Sequence, residues 1–145
     1  KRNIGQNLKP LYSTWKKAHL LLGYDPHKDR KDVKALLKEV RETVPKTVVI
    51  TDGKKGAHAY DGKYHYFIKT NKIKIVETTG AGDAFASGFV TGLVKGKDVG
   101  FAMKLGQANA ESVIQSYGAK NVLLSYKKAL QVIRKSRYRV VKKRI

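Results

Sequence analysis

The residues of this 145-residue chain best placed to do chemistry form one glycine-rich turn, Glu77-Thr78-Thr79-Gly80-Ala81-Gly82-Asp83-Ala84-Phe85. Ile73, Ile75 and Val76 precede it as a β-branched strand, and Phe85, Phe89 and Leu93 follow it at helical spacing. A strand that breaks at glycines and restarts as a helix leaves its first-turn N–H groups unpaired. The helix dipole adds to their attraction for an anion. Asp83 falls in that first turn, where the dipole favours an ionised carboxylate able to accept a proton. A tight turn followed by a capping aspartate fits the same residues. Small side chains continue at Ala84, Ala86, Ser87, Gly88 and Gly92. Glycine inside a helix costs about 1 kcal/mol relative to alanine, so two of them imply a requirement for close approach.

A second glycine loop, Asp52-Gly53-Lys54-Lys55-Gly56, follows the apolar run Thr47-Val48-Val49-Ile50-Thr51. That run reads as a strand buried on both faces of a parallel sheet, and open α/β sheets bind ligands at the carboxyl ends of such strands. By itself Gly-x-x-Gly is a weak signal that usually marks a turn. Lys54 and Lys55 fit a solvated turn as well as a phosphate contact. Two such loops at neighbouring strand ends are a stronger signal than either alone.

The first turn resembles the second signature of the ribokinase/pfkB family of sugar and nucleoside kinases, Asp-Thr-Thr-Gly-Ala-Gly-Asp-x-Phe, with Glu77 in place of its first aspartate. The resemblance implies that Asp83 takes the proton of the acceptor hydroxyl. It also implies that the N–H groups around Gly80, Ala81 and Gly82 hold the charge developing on the transferred phosphoryl group. Phosphoryl transfer asks for little else, being mainly positioning and charge stabilisation. Thr51, Gly53 and Gly56 resemble the family's nucleotide-phosphate loop Thr-x-Gly-x-x-Gly. Thr79 and Asn109 are implied as further nucleotide contacts, Asn109 from the likeness of Ala108-Asn109-Ala110 and Tyr117-Gly118-Ala119 to the family's last conserved helix. A helix-interior asparagine can also simply bond neighbouring backbone. ATP is the implied donor, magnesium the implied metal, and a sugar or nucleoside the implied acceptor. Two departures stand out. Glu77 keeps the charge but moves it where many relatives support a monovalent cation. Thr14 and Lys17 occupy the places of the Asn and Glu in an Asn-x-x-Glu motif that helps organise the magnesium region.

The expected fold is α/β and ribokinase-like: a mainly parallel sheet with helices on both faces and a β-hairpin. Residues 1–10 read as extended or loop, ending at Pro10. A helix over 12–22 carries Trp15, Ala18, His19 and Leu22 and stops at Gly23; Trp15 reads as a core aromatic rather than a base-stacking one. An amphipathic helix over 31–42 buries Val33, Leu36, Leu37 and Val40. Strands over 57–60 and 64–68 close a hairpin at Asp61-Gly62. Asp98 caps a long helix ending near Tyr117-Gly118, and a closing helix spans 126–134. Residues 1–133 thus read as the C-terminal part of a kinase domain whose N-terminal half and lid are absent. That missing half, or a partner chain supplying it, is an expected partner. Residues 134–145 read as a basic tail, by default a solvated terminus, alternatively a charged edge strand.

There are 31 Lys and Arg against 11 Asp and Glu, a net charge of +20, which exceeds what ATP binding requires. Such a surface attracts polyanions in a salt-dependent way. It also supports a rival reading, a catalytically impaired kinase-like module docking on nucleic acid or an acidic partner. With no cysteine there is no thiolate zinc site. His19, His27, His58 and His65 lack a paired metal spacing, His58 and His65 reading as ordinary strand residues. No run approaches the roughly 18 to 20 apolar residues of a membrane span, and the expected location is cytoplasmic.

Overall fold

The computed structural model describes residues 10–43, 46–117 and 123–145. It divides into two compact units, one of Lys1–Phe67 with Val141–Ile145 and one of Ile68–Val140.

The first unit is a five-stranded sheet in the order β1-β2-β3-β4-β5, where β1 is Pro10–Thr14, β2 Thr47–Thr51, β3 Ala57–Tyr60, β4 Tyr64–Ile68 and β5 Val140–Arg144. The expected parallel register is found between β1 and β2, from Pro10 opposite Thr47 to Thr14 opposite Thr51. The sheet expected to be mainly parallel is mixed, because the hairpin extends it in the antiparallel sense, with Val48 opposite Tyr60 and Thr51 opposite Ala57. Its turn is organised by Asp61, whose carboxylate accepts the N–H groups of Lys63 (2.9 Å) and Tyr64 (2.7 Å) and the Tyr66 hydroxyl (2.9 Å). Helices α1 (Trp15–Leu21) and α2 (Val33–Thr43) complete the unit. Leu36, Leu37 and Val40 of α2 form one buried cluster with Ala18, Val48, Ile50 and Tyr60, and Trp15 packs against it as a core aromatic.

Two further expectations change here. The helix expected over 12–22 begins only at Trp15, because the preceding residues pair with β2. Thr14 is the turning point: its backbone is extended, and its hydroxyl accepts the Lys17 N–H at 3.3 Å as the helix cap. Pro10, the end of the stretch expected to be extended or loop, opens β1, a position where its missing N–H costs least; the rest of that stretch lies outside the described residues. Gly23 does stop the helix, with φ of 78°. The stretch 134–145, by default a solvated terminus, ends in β5. The bond from the Ile145 N–H to the Lys63 carbonyl (3.3 Å) sets β5 antiparallel to β4, with Lys142, Lys143 and Arg144 exposed.

The second unit holds α3 (Ala81–Val94), α4 (Val99–Ile114) and α5 (Tyr126–Lys135). Asp98 caps α4 as expected, accepting the Phe101 N–H at 2.9 Å. Glycines let α3 and α4 approach closely. A Cβ on Gly88 would lie 2.5 Å from the Leu105 carbonyl oxygen, one on Gly92 2.7 Å from Ala102 Cα, and one on Gly106 2.8 Å from the Phe85 carbonyl oxygen. Phe85 and Phe89 fill the core beside this contact. The strand expected over 73–76 is not formed. The N–H groups of Val76 and Glu77 instead both donate to the Ile114 carbonyl at the end of α4 (2.7 and 3.2 Å), and Ile75 is 38% exposed. The run is β-prone in composition but has a helix end, not a strand, as its neighbour. Helix α4 ends at Ile114, short of Tyr117, and Gly118 and Ala119 lie outside the described residues.

Candidate functional site

The Gly80 turn is a glycine-dependent entry into a helix, as its sequence implies. Gly80 is the residue before α3 and adopts the left-handed conformation (φ 80°, ψ −2°), which a residue without Cβ reaches at no steric cost. Its carbonyl accepts the Ala84 N–H at 2.9 Å, closing the first helical turn. The Ala81 N–H donates to the Thr78 carbonyl at 3.2 Å, so this donor is engaged in the turn itself. The N–H groups of Gly80, Gly82 and Asp83 have no acceptor among the described residues. Three backbone donors at the positive end of a 14-residue helix are therefore open to an anion. Asp83 is exposed in that first turn and Thr79 is exposed just before it.

Behind the turn, Ser87, Gly88 and Thr91 of α3 wall a cavity of about 230 Å³ together with Leu105 and Asn109 of α4, Leu123 and Tyr126. Asn109 is 6% exposed, and its side-chain oxygen accepts the Leu124 N–H at 2.8 Å, tying α4 to the segment that enters α5. From Gly82 to Gly88 is about 9 Å along the helix at 1.5 Å per residue. The N–H groups of the turn and the cavity thus lie along one helix.

In the first unit, Thr51 ends β2 directly opposite Thr14 of β1, so the two hydroxyl residues stand side by side at the carboxyl ends of the parallel pair. The chain then makes a tight 3-10 turn over Gly53–Lys55, with φ of 52° at Gly53 and 119° at Gly56. The Asp52 N–H donates to the Gly56 carbonyl (2.9 Å), and Lys55 Nζ lies 3.5 Å from the Asp52 carboxylate.

Two constellations were not legible in the residue order. Glu111, 4% exposed on α4, accepts from the Asn71 N–H (2.8 Å), Asn71 Nδ2 (3.1 Å), Gln107 Nε2 (2.9 Å) and the Tyr138 hydroxyl (2.7 Å). Burial first, and then the bond to Glu111, push the Tyr138 hydroxyl well above its ordinary pKa, which keeps it a donor. Only the Gln107 to Glu111 spacing is visible in sequence. The second is in the hairpin: His58 and His65 are strand residues, as expected, and meet across it with His58 Nδ1 3.0 Å from His65 Nε2.

The profile of the pfkB family carbohydrate kinases matches residues 13–125. The chain belongs to this family. Its segment of 87 residues is 37% identical to a 5-dehydro-2-deoxygluconokinase of Bacillus subtilis, covering 59% of this chain and 27% of that protein. A cytidine kinase of Thermococcus kodakarensis is 37% identical over 89 residues, 60% of this chain and 32% of the relative. The chain thus spans less than a third of the length of these curated relatives. Among solved structures, a ribokinase from Thermotoga maritima superposes with a TM-score of 0.76 at 24% identity, covering 88% of this chain and 42% of that one. A probable sugar kinase from Rhizobium etli gives 0.71 at 29% identity, covering 86% and 36%. The fold is ribokinase-like. Family membership implies ATP as phosphoryl donor and usually a divalent metal.

The α1 region offers such a metal little. Thr14 uses its hydroxyl as a helix cap, Lys17 brings a cation where a carboxylate would bind, and the described residues contain no group of three or more His, Cys, Asp or Glu placed to hold a metal ion. These residues do not fit a protein-held magnesium ion. Among the described residues no helix is long and apolar enough to cross a membrane.

Proposed function

We propose that this chain carries the nucleotide-binding and base-bearing part of an ATP-dependent kinase that phosphorylates a hydroxyl of a sugar or nucleoside. The observation that carries this reading is the Gly80 turn, with three open N–H groups at the start of α3 and the exposed Asp83 carboxylate one turn in. In this reading the N–H groups of Gly80, Gly82 and Asp83 stabilise charge on the transferred phosphoryl group. Ala81 serves through its backbone conformation, its N–H being spent on Thr78. Asp83 accepts the proton of the attacking hydroxyl, which raises the nucleophilicity of that oxygen as it bonds to phosphorus. Thr79 borders the same turn, and the cavity beside Asn109 receives the base of the nucleotide. Thr51, Gly53 and Gly56 of the first unit shape the second glycine loop, which resembles the family's nucleotide-phosphate loop. Residues that read the acceptor belong to parts of the relatives' length that this chain does not match.

Two substitutions test the reading. ATP should raise the thermal midpoint of this chain, since a ligand selective for the folded state stabilises it by mass action. Gly82→Val should abolish that shift by blocking close approach while the far-ultraviolet spectrum stays native. Asp83→Asn should leave ATP binding within about twofold yet lower phosphoryl transfer by roughly 10²- to 10⁴-fold, the usual contribution of a general base. Transfer is assayed with a panel of sugars and nucleosides, on this chain alone and fused to the N-terminal portion of a matched full-length kinase. Transfer at full rate by Asp83→Asn, or no ATP-dependent shift in a folded sample, refutes the assignment.

A further inference from the structure

The hairpin of the first unit brings together two imidazoles that the kinase reading does not use. His58 on β3 and His65 on β4 lie nearly parallel, with ring centroids 5.2 Å apart and 15° between planes, and Nδ1 of one is 3.0 Å from Nε2 of the other. Phe67 packs against His58 at 4.6 Å between centroids and limits its rotation on that side. His65 is 6% exposed, whereas His58 is half-buried and gives the pair its opening to solvent. Asp32 and Asp52 act electrostatically on His58 in the sense that favours a cation there, and Lys34 opposes them. On His65, Lys34 and Lys143 oppose a cation and Asp32 favours it.

We propose that His58 and His65 form a bidentate imidazole site for a late first-row divalent transition metal, Ni²⁺ or Cu²⁺. Two nitrogens 3.0 Å apart, each bound at about 2.0–2.1 Å, subtend roughly 90–97° at the metal. That angle is nearer the right angle of a tetragonal copper or nickel site than the tetrahedral angle of structural zinc. In the metal-free pair one ring donates its N–H to the other. Moving that hydrogen to the donor ring's second nitrogen frees both facing lone pairs, and reorientation of the two rings about their Cβ–Cγ bonds converges them on one ion. No net proton is released, since both rings stay neutral. The remaining coordination positions fall to water, since among the described residues no third His, Cys, Asp or Glu joins the pair. The other histidines are not paired in this way: His19 is fully buried with Nδ1 on the Trp15 carbonyl (2.9 Å), and His27 is exposed.

The test is calorimetric titration of the folded chain with NiCl₂ and CuCl₂ at pH 7.5, in buffers of differing ionisation enthalpy, with MgCl₂ as the oxygen-seeking control. One saturable site is expected for Ni²⁺ and Cu²⁺ with a buffer-independent heat. His58→Gln and His65→Gln should each weaken it at least tenfold, and His27→Gln should not. The Cu²⁺ electron paramagnetic resonance spectrum should show coupling to two nitrogens in the parent and to one in His58→Gln. Should His65→Gln fail to fold, His58→Gln at the half-buried position decides the matter. Parental affinity in His58→Gln, the absence of saturable binding, or an equal response to Mg²⁺ overturns the proposal.

Discussion

Gly88→Ala sets two well-calibrated effects against each other. Gly88 lies inside α3, where alanine is favoured over glycine by about 1 kcal/mol on helix propensity alone. The added methyl would stand 2.5 Å from the Leu105 carbonyl oxygen, 2.8 Å from its carbonyl carbon and 2.9 Å from Gly106 Cα. All three are backbone atoms, so no rotamer change relieves the overlap. Ordinary contacts between carbon atoms begin near 3.5 Å, and restoring them requires α3 and α4 to separate by roughly 1 Å. That movement also loosens the Gly92 and Gly106 contacts and unpacks the Phe85 ring, since the glycines share one interface. Overpacking of this kind costs typically about 1–3 kcal/mol, more where backbone must move. The steric cost therefore exceeds the propensity gain, and a net loss of about 2 kcal/mol is expected. Urea denaturation followed by far-ultraviolet circular dichroism measures it, with exposed Ser87→Ala as the propensity control on the same helix. A Gly88→Ala midpoint equal to or above the parent's refutes the argument that glycine is there for helix contact.

Acidification should destabilise the hairpin. Desolvation first, and then His65, lower the pKa of His58 from 6.5 to about 4, so the unfolded chain takes up a proton before the folded one does. Stability is fully present above pH 6.5 and is lost as pH falls toward 4, the total being on the order of 2–3 kcal/mol at about 1.4 kcal/mol per pKa unit, reduced for partial exposure. His58→Gln should flatten the denaturation midpoint across that window, and an identical pH profile in parent and variant contradicts the burial argument. Because β5 belongs to the sheet, its charges should be tested by neutralisation rather than truncation. Changing Lys142, Lys143 and Arg144 to Gln should reduce the slope of log affinity for duplex DNA against log salt by up to about 2–3, at roughly 0.9 per phosphate contact; an unchanged slope places polyanion binding elsewhere.

Local order determined much of this protein. The helix over 33–43, the strand over 47–51, the hairpin strands, the Asp98 cap and the Gly23 stop all follow from periodicity and turn chemistry within a few residues. So does the Gly80 turn, because a left-handed residue, open donors and a first-turn carboxylate are properties of consecutive positions. Tertiary structure decided whatever depends on a distant partner. Residues 12–14 carry a helical pattern but became strand because β2 lay alongside, and 73–76 carry a β pattern but remained unpaired because their hydrogen bonds go to the end of α4. Gly88 and Gly92 announced a close approach, but only the packed helices show that Leu105 and Ala102 are what approach them. Glu111 finds Asn71 and Tyr138 at separations of 40 and 27 residues, and His58 finds His65 only because the hairpin folds one strand onto the other. A backbone turn is specified by the residues that make it, whereas a side-chain constellation exists only once hydrophobic burial has fixed the elements that carry it.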